Sequence, residues 1–241
     1  MNPVLCILGG CNGAGKTTLA RELLPRLGLM RFLNADELAR GLSPLDPSLT
    51  AFRAGRLLLQ EAHALIAAKA SFAIESTLSG KTHLALVREA KARGYHFVLH
   101  YIVIGSATQA VARVALRVRM GGHDVPEADV RRRFERSRRH WLEDYLPLAD
   151  EWGAWDNQTP PAIQIASSET HTIEDLHAML DSHKLQETSP GELSEMAKVV
   201  LEASRVATEK MLDYYRRMDI EVTPEMTLAP ERPAGVQPTA K

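Results

Sequence analysis

Val4-Leu5-Cys6-Ile7-Leu8-Gly9-Gly10-Cys11-Asn12-Gly13-Ala14-Gly15-Lys16-Thr17-Thr18 decides the fold. Val4 to Leu8 is continuously apolar, as a strand buried on both faces must be. Gly9 to Gly15 break that run before a helical stretch from Lys16 to Leu24, which Pro25 is expected to stop. Gly10 to Thr17 match G-x-x-x-x-G-K-[ST] at each fixed position, and they sit between a predicted strand and a predicted helix, as that motif requires. The glycines let the backbone curl until successive N–H groups face one anion, and the positive end of the following helix adds to the attraction. An ordinary glycine-rich turn with a solvated Lys16 is the competing reading, and agreement at both flanks counts against it.

The cradle residues are therefore Gly10, Asn12, Gly13, Ala14, Gly15, Lys16, Thr17 and Thr18. Lys16 is expected to reach the β and γ phosphates of a nucleotide, and Thr17 to ligate Mg²⁺ through its hydroxyl, with Thr18 beside it on the helix.

Outward from the cradle, short apolar runs alternate with helical patterns, which predicts a mainly parallel sheet in an α/β three-layer sandwich of the P-loop NTPase class. Strands are expected at Met30 to Leu33, Phe72 to Ile74, Phe97 to Ile104, Trp152 to Trp155 and Ile163 to Ala166. The run from Phe97 is the most apolar and should be central. Helices are expected from about Ser48 to Lys69, Lys81 to Arg93 with Gly94 as cap, and Thr108 to Met120. Gly121 and Gly122 break the last, and Pro126 with Glu127 starts another. The expected organisation is a kinase-like domain over 1–189 with a lid at about 113–139, an amphipathic helix over 190–218, and a proline-bearing, disordered tail over 224–241.

With 241 residues, 45% apolar and 24% charged, the chain has the composition of one globular domain with an appendage. Lys plus Arg is 29 against 30 for Asp plus Glu, so no global field favours nucleic acid or an anionic membrane. No apolar run is long enough to span a bilayer, and no basic, cleavable leader precedes Val4, so a cytoplasmic location is expected. Cys6 and Cys11 are read as reduced and structural.

Ligands of open α/β sheets sit beyond the carboxyl ends of the strands, so polar residues there are the candidates. Asp36, after the second strand, supports two readings: a base that takes the proton of an attacking hydroxyl, or an N-cap for a helix from Glu37. Glu75 and Thr77, after the third, could bind acceptor hydroxyls or a metal-bound water, or simply cap a turn leading to Lys81. Between Arg113 and Arg139 nine arginines stand against four acids. Such an arm, hinged at Gly121 and Gly122, is predicted to close over a triphosphate and neutralise charge on a transferring phosphoryl group. His123 at the hinge could contact phosphate or cap a helix. The remaining histidines show no metal-ligand spacing.

In order and spacing, Gly9 to Thr18, Asn34-Ala35-Asp36-Glu37, Ile74-Glu75-Ser76-Thr77, and Arg117-Val118 through Gly121-Gly122-His123-Asp124-Val125-Pro126 to Arg132-Arg133-Phe134 resemble the zeta toxin family of P-loop kinases, particularly its short chromosomal branch. The resemblance covers about Val4 to Ala166. It implies a fold similar to nucleoside-monophosphate kinases, ATP with Mg²⁺ as donor, and phosphorylation of a sugar hydroxyl of UDP-N-acetylglucosamine or a related nucleotide sugar. Carried over by position, it makes Asp36 the base, with Glu75 and Thr77 orienting the acceptor. Arginines flanking the lid turn clamp the phosphates, with Arg117 and Arg133 assigned to catalysis beside Lys16, and Arg132 and Arg136 to substrate. It also implies a small helical antitoxin as partner. Plasmid members carry Gly where this chain has Ser76 and lack the Gly-Gly-His turn, which predicts a different acceptor pocket. Beside this stand a kinase of another small hydroxyl acceptor, such as a nucleoside or an antibiotic, and a nucleotide switch or ATPase acting on a protein partner.

Overall fold

Strands β1 (Val4–Gly9), β2 (Phe32–Leu33), β3 (Phe72–Ser76), β4 (His96–Val103), β5 (Glu151–Asp156) and β6 (Ile163–Ser167) form one sheet in the order β2-β3-β1-β4-β5-β6. Each adjacent pair is parallel except β5 and β6, which are antiparallel. The two most apolar strands, β1 and β4, are therefore the central pair, where both faces are covered. This is a computed structural model, and it describes residues 2–120 and 124–182. Gly121, Gly122 and His123, the stretch from Pro190 to Met218 and the end after Thr223 lie outside the described residues.

Seven helices of two turns or more accompany the strands among the described residues: α1 (Lys16–Arg26), α2 (Ala35–Leu42), α3 (Ala51–Ala67), α4 (Thr82–Ala92), α5 (Ala107–Arg119), α6 (Glu127–His140) and α7 (Ile173–Ser182). Strand periodicity sorts the core into two layers. On one face Leu5 and Ile7 pack with Leu58 and Ile66 of α3, Leu84 and Val87 of α4, Trp141, and Leu176 of α7. On the other, Cys6 and Leu8 pack with Ala20 and Leu24 of α1 and with Leu29. Burying each such Leu or Ile stabilises by roughly 1.5–3 kcal/mol. The result is the three-layer P-loop sandwich. Both cysteines are free and buried, and burial pushes the Cys6 thiol up to about 12.

Several boundaries differ from expectation for identifiable reasons. Pro25 does not stop α1 but lies inside its last turn, where a missing N–H costs one hydrogen bond before Gly28, at φ 69°, ends the helix. The second strand shrinks to Phe32–Leu33, and β3 runs on through Ser76, which places Glu75 within the strand rather than after it. A 3₁₀ turn over Pro47–Thr50 precedes α3. The sequence reading missed α7 and the irregular helical turns over Trp141–Leu148.

The chain divides into two compact units. Met1–Val114 with Val125–Thr188 forms the first, which holds the whole sheet and α6. The second takes in Ala115–Asp124, and its described part is the end of α5, where the Met120 N–H donates to the carbonyls of Leu116 and Arg117. No helix among the described residues is long and apolar enough to cross a membrane.

Candidate active site

The loop between β1 and α1 has the backbone its glycines predict. Gly13 and Gly15 adopt φ of 77° and 93°, and a Cβ at Gly15 would lie 2.4 Å from Asn157 Nδ2, so any larger residue would meet both strain and a clash. Gly15 is also the N-cap of α1 and offers no side-chain cap, nor does an acidic residue occupy the first turn. The orphan N–H groups of α1 are thus left for an anion. Lys16 is 7% exposed, and its ammonium donates to the Cys11 carbonyl at 3.0 Å. Burial raises the Cys11 thiol to about 11 against the opposing pull of Lys16 and Arg113, so it is a neutral packing group. Thr18 is exposed on the first turn of α1.

Glu75 is the hub of the site. One carboxylate oxygen, Oε2, accepts from the Thr17 hydroxyl at 2.7 Å and from Asn34 Nδ2 at 2.8 Å, and the other, Oε1, lies 3.8 Å from Lys16 Nζ. Asn34 in turn caps α2 by accepting from the N–H groups of Asp36 and Glu37. The N-cap is therefore Asn34 rather than Asp36. A continuous path of three hydrogen bonds leads from the Asp36 N–H through Asn34 and Glu75 to the Thr17 hydroxyl. The Asp36 side chain itself is exposed in the first turn of α2, while its neighbour Glu37 pairs with Arg40 at 3.0 Å. Asn34, which no role was expected for, is the residue that joins the two halves of this path.

Beyond β3 the chain is pinned in a turn. Leu78 sits at φ 53°, its carbonyl accepts from the buried His140 at 2.8 Å, and the Tyr145 hydroxyl donates to the Gly80 carbonyl at 3.2 Å. Ser76 Oγ accepts from the Leu78 N–H and pairs with His83 Nδ1 at 2.8 Å, and burial lowers the His83 pKa. Thr77 Oγ1 shares a hydrogen bond of 2.8 Å with Ser79. The turn at Glu75 to Thr77 is thus held by side chains from α4 and α6 and not by a simple cap.

Helix α6 is fastened to this end of the sheet by Ser137, whose hydroxyl pairs with Tyr101 at 2.9 Å, and by Trp141, stacked on Tyr101 at 4.0 Å. Val130, Ser137 and His140 are its buried positions, and at helical spacing Arg133 shares their face. The Arg133 side chain is 35% exposed and lies 3.9 Å from Asp129, whereas that of Arg132 is 56% exposed and bonded to the same Asp129 at 2.7 Å. Arg131 is occupied by Glu127, and Arg136 is exposed. Arg138 is also half-buried, and its positive charge weakly opposes the rise that burial causes in the Tyr101 pKa. Arg117 lies in the last turn of α5.

A hydroxyl and a carboxylate converging at the mouth of an uncapped helix are hard oxygen donors of the kind Mg²⁺ takes, and Mg²⁺ uses one or two protein oxygens with phosphate and water completing its shell. Thr17 and Glu75 fit that requirement. Two acceptors beside the loop, Asn12 Oδ1 and Asn157 Oδ1, are buried without a hydrogen-bond partner.

A family model described as an AAA domain matches residues 5–140. An uncharacterised protein of Haemophilus influenzae is 33% identical over 125 residues, covering 52% of this chain and 88% of that one. Among solved structures, the PezAT chromosomal toxin-antitoxin system of Streptococcus pneumoniae is similar with a TM-score of 0.61 at 18% identity, over 86% of this chain and 88% of that one. AvrRxo1-ORF1:-ORF2 with ATP is similar with a TM-score of 0.60 at 18% identity, over 77% and 64%. A putative kinase from Chloroflexus aurantiacus has a TM-score of 0.52 at 20% identity, over 76% and 99%. At these identities the structural likeness is one of fold.

Proposed function

The chain belongs to the AAA domain family, and on that premise we propose that it is an ATP-dependent small-molecule kinase of the zeta toxin type, passing the γ-phosphate to a hydroxyl of a nucleotide sugar or related metabolite. The observation that carries this reading is the Thr17–Glu75–Asn34 path, which couples the phosphate loop to the helix that presents Asp36. A loop hydroxyl beside an acidic strand end also serves hydrolysing P-loop proteins, so it is the onward link through Asn34 to the helix carrying Asp36 that favours transfer.

In this mechanism the loop N–H groups and Lys16 hold the β and γ phosphates, and Thr17 with Glu75 holds Mg²⁺. When bound, Mg²⁺ would neutralise phosphate charge. Asp36 accepts the proton of the acceptor hydroxyl as its oxygen forms the new O–P bond and the bond from the γ phosphorus to ADP breaks. Arg133 offsets charge on the transferring phosphoryl group, and Arg132 and Arg136 bind the substrate's outer phosphates. Thr77, fixed beside Glu75, orients the acceptor.

Two of the similar structures support the wider reading. One is described as a chromosomal toxin-antitoxin system and another as a complex with ATP, which favours ATP as donor and a small antitoxin as partner here. The direct test is acceptor dependence: ADP release with Mg²⁺ should be slow for the protein alone and should rise at least tenfold when a pool of nucleotide sugars is added. Equal release with and without the pool would overturn the kinase reading.

A further inference from the structure

A loop that turns its N–H groups toward an anion must turn carbonyl groups the other way, into the protein. Three carbonyls of this loop meet a side-chain donor. Cys11 O accepts from Lys16 Nζ at 3.0 Å, Gly13 O from Arg113 Nη1 at 3.4 Å, and Ala14 O from Asn157 Nδ2 at 2.8 Å. The first donor belongs to the loop itself, whereas the other two come from far along the chain. Arg113 lies on α5 and Asn157 in the turn that follows β5.

These two donors are not independent. Arg113 Nη2 donates to the carbonyl of Asn157 at 2.6 Å and to that of Gln158 at 2.9 Å. Gln109, one turn earlier on α5, donates to Gln158 O at 2.9 Å and accepts from the Gly105 N–H at 2.8 Å. The turn is closed from within by the Gln158 N–H donating to Asp156 at 2.7 Å. The helix thus fixes the turn, and the turn fixes the loop. Asn157 is 8% exposed, and its carboxamide fills the space that a Cβ on Gly15 would need.

We propose that Arg113 and Asn157 are positioning residues that brace the phosphate loop in its anion-ready shape before any ligand arrives. The proposal rests on the reading of Gly10 to Thr17 as a phosphate loop. Without the brace, Gly13 and Gly15, the most permissive residues of the loop, sample other conformations, and a phosphate ligand must order them at the expense of its affinity. The printed contacts of the brace are to loop and turn carbonyls, so the expected effect is on the binding of the polyphosphate.

The experiment titrates the full chain with inorganic pyrophosphate and, separately, with ATP, both with Mg²⁺, alongside thermal melting. Asn157→Ala should weaken both ligands by the same factor, about five- to tenfold as expected for one lost hydrogen bond, with the melting temperature lowered by only about 2–4 °C. Asn157→Asp keeps the side-chain volume but opposes a carboxylate to the Ala14 carbonyl, and should weaken both ligands more than Asn157→Ala does. Arg113→Gln, which removes the clamp on the turn, should follow Asn157→Ala. If Asn157→Ala does not fold, Asn157→Asp and Arg113→Gln carry the comparison. Wild-type affinity in the variants overturns the brace, and so does a loss for ATP with none for pyrophosphate, which would make Asn157 a contact to the base. Lys16→Ala is the control. If it leaves pyrophosphate affinity unchanged, the phosphate-loop reading itself has failed. If it weakens pyrophosphate while the Asn157 variants do not, only the brace has failed.

Discussion

The Thr17 hydroxyl donates to Glu75 Oε2 at 2.7 Å, so the first turn of α1 and the end of β3 share one hydrogen bond at the mouth of the phosphate loop. A threonine that ligates a metal through its oxygen is best held by an acceptor for its proton, and the carboxylate provides it. Glu75→Gln keeps the shape but replaces the charge, and is expected to lower the Mg²⁺-supported transfer rate by about a hundredfold. Steady-state kinetics across a Mg²⁺ titration checks this: the variant should need more Mg²⁺ for half-maximal rate.

Asn34 has two duties, and two substitutions separate them. Asn34→Ala removes both the cap of α2 and a donor to Glu75, and should cost about 1 kcal/mol of stability from the cap alone. Asn34→Asp retains a capping oxygen but sets a carboxylate against Glu75, so it should keep more of the helix and lose more of the activity. Urea unfolding combined with rate measurements tests the pair, and equal activity in both variants would contradict the assignment.

The arginine face makes a graded prediction. Arg133→Ala is expected to lower kcat by about a hundredfold or more, as loss of a cation facing the transferring phosphate does. Arg132, more exposed and held closer to Asp129 than Arg133 is, should on substitution by Ala change binding of the substrate's outer phosphates by no more than about threefold. Comparable kcat losses would mean that the buried stripe of α6 does not select the working arginine.

His100 on β4 gives a pH signature independent of catalysis. Its Nε2 is buried without a partner, Trp155 Nε1 donates to its Nδ1 at 3.3 Å, and burial lowers its pKa to about 4 against the upward pull of Glu151. The unfolded ring takes up a proton near 6.5, while the folded ring stays neutral until about pH 4. Folding stability from this group is therefore fully present above pH 6.5 and is lost as pH falls toward 4, by about 3 kcal/mol at most. In denaturant melts between pH 7 and 4 the wild type should lose about 3 kcal/mol more than His100→Gln does.

Much of this was legible in the residues because it is local. The apolar run Val4 to Leu8 followed by Gly10 to Thr17 reports strand, loop and helix within one short window, and the strong hydrophobicity of β1 and β4 reports their central place. Pro25 misled because a proline near a helix end costs only one bond, and that small loss was overridden by the packing of Leu24. Glu75 is legible as a candidate but expected just after the strand rather than within it, since a strand's last residues carry no pattern of their own. Asn34, Arg113 and Asn157 were not legible as site residues. Their partners lie 41, 100 and 143 positions away, and only the register of a sheet and the docking of a helix bring such residues together.

The central claim is that Asp36 turns a phosphate loop into a phosphotransferase. Wild-type protein and Asp36→Asn should be incubated with ATP, Mg²⁺ and a pool of nucleotide sugars, with products read by mass spectrometry and ATP affinity measured in parallel. The account predicts a metabolite gaining one phosphoryl group with the wild type, at least a hundredfold less of it with Asp36→Asn, and unchanged ATP affinity. Undiminished transfer by Asp36→Asn, or ADP formation by both proteins with no phosphorylated metabolite, would contradict it.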